Sequence, residues 1–233
     1  MLRALRLDLK RSANPAKAKI LCRFFKTGHG EYGAGDKFLG IPVPESRQIA
    51  KKYRALPLSG VEQLLYSKIH EVRLTALLIL VEQFRNGAPA EQKKIYDFYL
   101  KNARQVNNWD LVDLTAPKIV GAHLHLFNEN KKILSQLARS PNLWERRIAI
   151  VSTLFNIQRG ELKTSLKIAK LLLGDRHDLI HKAVGWMLRE AGKRSLRVEE
   201  EFLRLYHKIM PRVMLRYAIE RFPKAKRQKY LAK

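Results

Sequence analysis

Apolar residues recur at three- and four-residue spacing along almost the whole chain, and no run alternates long enough to read as a strand. Leu2, Leu5, Leu7 and Leu9, mixed with Arg3, Arg6, Lys10 and Arg11, predict a short first helix that stops before Asn14-Pro15. A second helix over 16–26 carries Ile20, Leu21, Phe24 and Phe25, and Val43-Pro44-Glu45 opens a third, with proline tolerated in its first turn. Helical runs follow at 60–66, 71–84, 91–101, 109–120, 128–138, 143–155, 162–173, 179–190, 197–206 and 212–222. Stop and start signals separate them: Asn86-Gly87-Ala88-Pro89, Ser140-Pro141-Asn142, Gly174-Asp175, Gly192, Pro211 and Pro223. The predicted class is all-α, with one domain over 1–223 and a polar, basic tail over 224–233.

A weak motif recurs on alternate helices. Arg47-Gln48-Ile49-Ala50, Arg73-Leu74-Thr75-Ala76 and Arg146-Arg147-Ile148-Ala149 read R-x-x-A, while the runs ending at Val112, Ala183 and Ala218 keep a small or β-branched residue last. The last positions 50, 76, 112, 149, 183 and 218 are separated by 26, 36, 37, 34 and 35 residues. After a short first step this is the period of a helix-pair solenoid, in which no pair buries its apolar face alone and neighbours stack. In such an array one helix of each pair lines a concave surface, which would collect Arg47, Arg73, Trp109, Asp113, Arg147, Lys182, Trp186, Arg189 and Arg216.

Charge gives that surface a partner. The 233 residues hold 46 Lys and Arg against 21 Asp and Glu, a formal net charge of +25, which favours a polyanion and nucleic acid first. Basic residues interleaved with aromatics suit a groove for a nucleic-acid backbone. One cysteine, Cys22, excludes a disulfide framework and a cysteine-based zinc site and fits a reducing cytoplasm. No apolar run reaches the ~20 residues of a membrane span, so no membrane association is expected.

Within this cationic chain, Trp109 and Asp113 stand four residues apart and share one helix face. Gly28, Gly30 and Gly33 spell a formal GxGxxG, but a helix precedes it and Phe38-Leu39-Gly40-Ile41-Pro42 follows, so it reads as a turn or as a loop against nucleic-acid backbone, not a dinucleotide site. Among seven histidines only His123 and His125 are close, at a spacing that splits them around a helix; no metal and no cofactor is expected.

Phe38-Leu39-Gly40-Ile41 with Pro44, Asn108-Trp109-Asp110-Leu111-Val112-Asp113, Leu143 to Ile150 and Lys182 to Glu190 together resemble the AlkD-type bacterial DNA alkylation-repair glycosylases, over nearly the whole chain. The resemblance implies a C-shaped array of HEAT-like repeats that clasps double-stranded DNA; a monomer is the simplest expectation for such a clasp, and a cytoplasmic location, associated with the nucleoid through DNA, is expected with it. It implies hydrolysis of the N-glycosidic bond of N3- or N7-alkylated purines without insertion of the base into a deep pocket, unlike base-flipping enzymes. It assigns Asp113 as the catalytic carboxylate, Trp109 and Trp186 as aromatics flanking the lesion's deoxyribose, Arg147 as a backbone contact near the site, and Arg47 and Arg189 as further DNA contacts. One position departs: Phe24 stands where relatives carry a tyrosine.

The chemistry is consistent with these residues. A cationic alkylpurine leaves without a general acid, and a carboxylate against the sugar stabilises the oxocarbenium-like charge that develops. Tryptophan faces favour a cation. Asp110, three positions before Asp113, is the alternative carboxylate. A non-catalytic HEAT-like binder of damaged or branched nucleic acid is the competing function, and a protein-interaction solenoid the third.

Overall fold

The computed structural model describes residues 1–232. They divide into two compact units, Met1–Thr115 and the remainder from Ala116. The first contains α1 (Leu2–Arg11), α2 (Pro15–Phe24), α3 (Val43–Lys52), α4 (Leu58–Leu65), α5 (His70–Asn86), α6 (Pro89–Lys101) and, at its end, α7 (Trp109–Ala116). The second contains a widened turn, Pro117–Gly121, then α8 (Ala122–Leu126), α9 (Lys132–Leu137), α10 (Leu143–Val151), α11 (Leu154–Ile157), α12 (Lys163–Leu171), α13 (Asp178–Arg194), α14 (Leu196–Tyr206), α15 (Arg212–Ala218) and α16 (Lys224–Leu231). Among the described residues the sole β pairing is one parallel bridge between Lys37 and Ile69. The all-α class is therefore as expected.

The repeat has a packing basis. Within the first unit α3 lies on α5; within the second, α10 lies on α13 and α13 on α15, so helices that carry the motif are neighbours. All six positions that close the motif, Ala50, Ala76, Val112, Ala149, Ala183 and Ala218, are buried, as close helix approach requires. Gly185 extends this: a β-carbon there would stand 2.4 Å from the Met214 carbonyl oxygen of α15.

Several boundaries shift, each for a local reason. The run expected over 109–120 widens after Ala116, because Pro117 has no N–H to continue the ladder. The run expected from 128 starts at Lys132, since Asn128 takes φ +47°, which an α-helix cannot use. The run expected over 143–155 breaks after Val151, where the Thr153 hydroxyl donates to the Ile150 carbonyl at 2.6 Å. The expected basic tail is largely helical: α16 starts directly after Pro223.

Helix α5 organises the first unit. Every residue from Glu71 to Val81 is buried, so it is a central helix rather than a half-exposed one. The polar residues in its first turns must then find partners inside the fold, and those partners shape the candidate site.

Candidate nucleic-acid site

The first unit holds a cavity of about 510 Å³ lined by α2, the Phe38–Val43 segment, the start of α5 and α7. Trp109 and Asp113 both line it, as their shared helix face predicts. The walls are mainly apolar: Ile20, Leu21, Phe24, Phe25, Phe38 and Leu74, with Lys17 the one cation among the lining side chains apart from His70. Trp109 is half-buried. Phe25 stacks on it at 5.2 Å between centroids and 13° between planes, and Phe24 meets it edge-on at 5.9 Å. Phe38 continues the stack beyond Phe25 at 5.0 Å and in turn stacks on His70 at 4.6 Å. Phe24 and Ile20 remain 61% and 67% exposed at the rim.

Polar groups behind the aromatic stack hold α7. The Asn108 side chain accepts from the Trp109 N–H, the first of the helix, at 2.8 Å. Both oxygens of Asp110 are engaged, one by the Leu111 N–H at 2.9 Å and the other by His70 Nε2 at 2.8 Å. His70 Nδ1 faces Asp36 at 3.3 Å, and Asp36 receives Arg73 on both oxygens at 2.7 and 2.8 Å. Burial works against the charge on His70, but the hydrogen bonds to Asp110 and Asp36 overcome it and raise its pKa to about 9. Burial likewise opposes the charge of Asp36, and His70 and Arg73 hold it below the usual carboxylate range. Glu71, 1% exposed, accepts from the N–H groups of Leu39, Gly40 and Ile41 at 2.9, 2.8 and 3.3 Å, anchoring the wall that carries Phe38 and Pro42.

This geometry corrects two expectations. Arg73, expected on a DNA-binding surface, is 2% exposed; besides Asp36 it donates to the Ser67 carbonyl at 2.9 Å, so its guanidinium is consumed inside the first unit. Arg146 does the same in the second unit, donating to the Ser140 carbonyl at 3.0 Å and to Asp175 at 2.6 Å. Each arginine reaches six residues back and takes a distant carboxylate, so in these two repeats the R of R-x-x-A fastens a turn. Asp110, the alternative carboxylate, is buried with both oxygens satisfied. The glycine-rich loop, read as a turn, ends in Asp36, which sequence reasoning did not single out. Nor did it single out His70 or Glu71, whose burial within α5 gives their polarity meaning.

In the second unit Arg147 is 5% exposed and donates to the Leu179 carbonyl at 2.6 Å. On α13, Lys182 pairs with Asp178 at 2.6 Å, Trp186 donates to Glu190 at 3.2 Å, and Arg189 bonds Glu220. Arg47, in the first unit, is exposed. Among the described residues no group of three or more His, Cys, Asp or Glu is placed to hold a metal ion, and no helix is long and apolar enough to cross a membrane.

The comparisons with known proteins agree on the family and the fold. The family model for DNA alkylation repair enzymes matches residues 5–222. A DNA alkylation repair enzyme predicted from Enterococcus faecalis has a similar solved structure, with a TM-score of 0.71 at 19% identity over 91% of this chain and 98% of that one. AlkD2 from Streptococcus mutans superposes with a TM-score of 0.59 at 16% identity over 90% of this chain and 98% of its own. The smu.31 protein of Streptococcus mutans UA159 gives 0.54 at 18% identity over 87% and 96%. At these identities the structures establish the fold alone. No curated protein sequence matches the chain.

Proposed function

The chain belongs to the DNA alkylation repair enzyme family, and from that premise we propose that it is a DNA glycosylase hydrolysing the N-glycosidic bond of positively charged N3- or N7-alkylpurines in duplex DNA. The observation that carries this reading is the placement of Trp109 and Asp113 together on the wall of one cavity. Asp113 is the carboxylate that stabilises the oxocarbenium-like sugar and positions water as the cationic base leaves. Trp109 supplies a rigid π face backed by Phe25, which favours a cation beside it and excludes bulk water. The leaving purine is already cationic, so no second, protonated carboxylate is required. The apolar walls suit this division of labour, because a carboxylate in a poorly solvated setting acts more strongly on developing charge than it does in water.

The family resemblance adds Trp186 as the second aromatic at the sugar and Arg147, Arg47, Arg189 and Lys182 as contacts to phosphate. Contacts of this kind fix register without reading sequence, so binding is expected to be salt-sensitive and nearly sequence-neutral. The partner is double-stranded DNA, the protein acts as a monomer in the bacterial cytoplasm, and no cofactor takes part.

The test is release of N7-methylguanine from a duplex carrying one lesion, measured against spontaneous depurination. Wild-type protein accelerates release, and Asp113→Asn lowers it by about 100-fold or more while duplex affinity is retained. No release by wild-type protein, with tight and salt-sensitive binding, supports the non-catalytic binder instead.

A further inference from the structure

We propose that His70 is a positioning residue of the first unit's site: as an imidazolium clamped between Asp36 and Asp110, it fixes the start of α7 and so the placement of Trp109 and Asp113. The inference rests on the glycosylase reading for its functional consequence and on the geometry for the clamp itself.

With both carboxylates ionised, the geometry calls for two protons on the ring. Nε2 lies 2.8 Å from one carboxylate oxygen and Nδ1 3.3 Å from another. A neutral imidazole has one donor and one acceptor nitrogen, and an ionised carboxylate only accepts. Two carboxylates therefore saturate the ring only when both nitrogens carry hydrogen. The ring is 2% exposed and its faces are occupied: Phe38 stacks at 4.6 Å and Phe25 lies at 4.9 Å, so water has little access to replace either partner.

The groups bonded to the ring and to its partners come from three elements, while the neighbouring Glu71 is turned to the Leu39, Gly40 and Ile41 N–H groups. Asp36 comes from the end of the glycine-rich loop, Asp110 from α7 and Arg73 from the next turn of α5, with Asn108 donating to Asp36 at 3.5 Å. Two carboxylates face two cations, so the cluster is neutral only with His70 charged. A neutral His70 leaves one buried carboxylate without a counter-charge, which low-dielectric surroundings penalise heavily.

The consequence reaches the site through one helical turn. Asp110 sits between Trp109 and Asp113 on α7, and its two oxygens are held by His70 and by the Leu111 N–H. His70 thereby does two things. It pins the first turn of α7 at the cavity wall, and it neutralises Asp110, so that this carboxylate adds no repulsion toward incoming phosphates. Of two carboxylates three residues apart, one becomes part of the scaffold and the other, Asp113, serves the reaction. A misplacement of α7 of about 1 Å is enough to cost roughly 100-fold in rate.

Two measurements test the proposal. In ¹⁵N-labelled protein the His70 ring nitrogens are expected to be both protonated at pH 7.5 and to titrate near pH 9; a neutral ring at pH 7.5 overturns the clamp. This measurement needs no turnover, so it stands even if wild-type protein releases no base. In the excision assay with N7-methylguanine duplex, His70→Gln is expected to lower the single-turnover rate by about 10-fold or more with duplex affinity unchanged. Wild-type protein is expected to lose activity as pH rises through 9, and the variant should lack that loss. A folded His70→Gln with wild-type rate and an unaltered alkaline limb overturns the positioning role. If His70→Gln does not fold, Asp110→Asn replaces it with the same expected loss of rate and the same criterion.

Discussion

At the residue scale the main lesson is that charge type does not reveal charge use. Arg47, Arg73 and Arg147 look alike in the sequence, yet Arg47 is exposed, Arg73 is consumed by Asp36, and Arg147 is nearly buried with one arm on the Leu179 carbonyl. The partner of Arg73 lies 37 residues away, at the end of the glycine-rich loop and across α3 and α4, a separation no local pattern encodes. Trp109 and Asp113 were legible because their relation is local: four residues on one helix. The Arg73–Asp36 pair also yields a separable prediction. Removing one partner of a buried pair leaves an uncompensated charge, so Asp36→Asn should destabilise the protein by about 3 kcal/mol in urea denaturation. Since neither group faces solvent as a free charge, the salt dependence of DNA binding in the folded variant should equal that of wild-type protein. A changed salt slope with unchanged stability would return Arg73 to the DNA surface.

At the element scale, the spacing of small residues carried the fold and the spacing of large ones did not set boundaries. Ala76, Val112, Ala149, Ala183 and Ala218 are buried at intervals of 36, 37, 34 and 35 residues, so this spacing could be read from sequence before any helix end was known. The ends depended on single events, such as the missing N–H of Pro117 and the left-handed Asn128, which apolar periodicity does not sense. Gly185 joins the two levels. It precedes Trp186 on α13, and its bare α-carbon lets α15 approach until only hydrogen fits. Gly185→Ala should therefore push α13 from α15 and cost about 1–3 kcal/mol, read as a lower thermal midpoint. A neutral effect would show that α15 can move aside freely and that the glycine is not what sets this spacing.

At the scale of the whole molecule, two buried titratable groups tilt stability toward lower pH, one in each unit. His70 has its folded pKa raised to about 9; its contribution is complete below its ordinary value near 6.5 and disappears as pH rises through about 9. Glu199 on α14 is 2% exposed, and burial, against the opposing pull of Arg189 and Lys226, raises its pKa to about 8. Its Oε1 has no hydrogen-bond partner, so the folded chain prefers the protonated acid. The stability tied to that proton is full below about 4.5 and lost as pH rises through about 8. Both groups bind protons more tightly folded than unfolded, so thermal stability should fall steadily from pH 6 to pH 9. Glu199→Gln replaces a buried carboxylate whose Oε1 has no hydrogen-bond partner with a neutral isostere. It should raise stability at pH 9 by about 2 kcal/mol, have a smaller effect at pH 6, and flatten the profile by the share that belongs to this residue. A profile of unchanged slope in Glu199→Gln would assign the alkaline loss to His70 and the first unit alone.

The net charge of +25 adds a second whole-molecule lever whose two consequences have opposite sign. Like charges spread over a folded surface repel, so added salt should raise the thermal midpoint by screening that repulsion. Under the proposed function the same charge draws a duplex by releasing its counterions, so added salt should weaken binding, with a log–log slope set by the number of phosphates neutralised. Between Trp186 and Lys233 the chain holds 14 basic residues against 5 acidic ones, and many of the acidic ones are already paired: Glu190 with Lys193, Glu220 with Arg189, Glu201 with Arg197 and Glu200 with Lys226. The excess cations remaining in this segment would add to the phosphate contacts proposed for Arg47, Arg147, Lys182 and Arg189. Charge reversal of exposed α16 lysines, Lys224→Glu with Lys229→Glu, should reduce the salt slope by about 2 if both contact phosphate while raising the thermal midpoint at low salt. Weaker binding with an unchanged slope would mean that α16 acts through the general field, and that the phosphates are held by other residues.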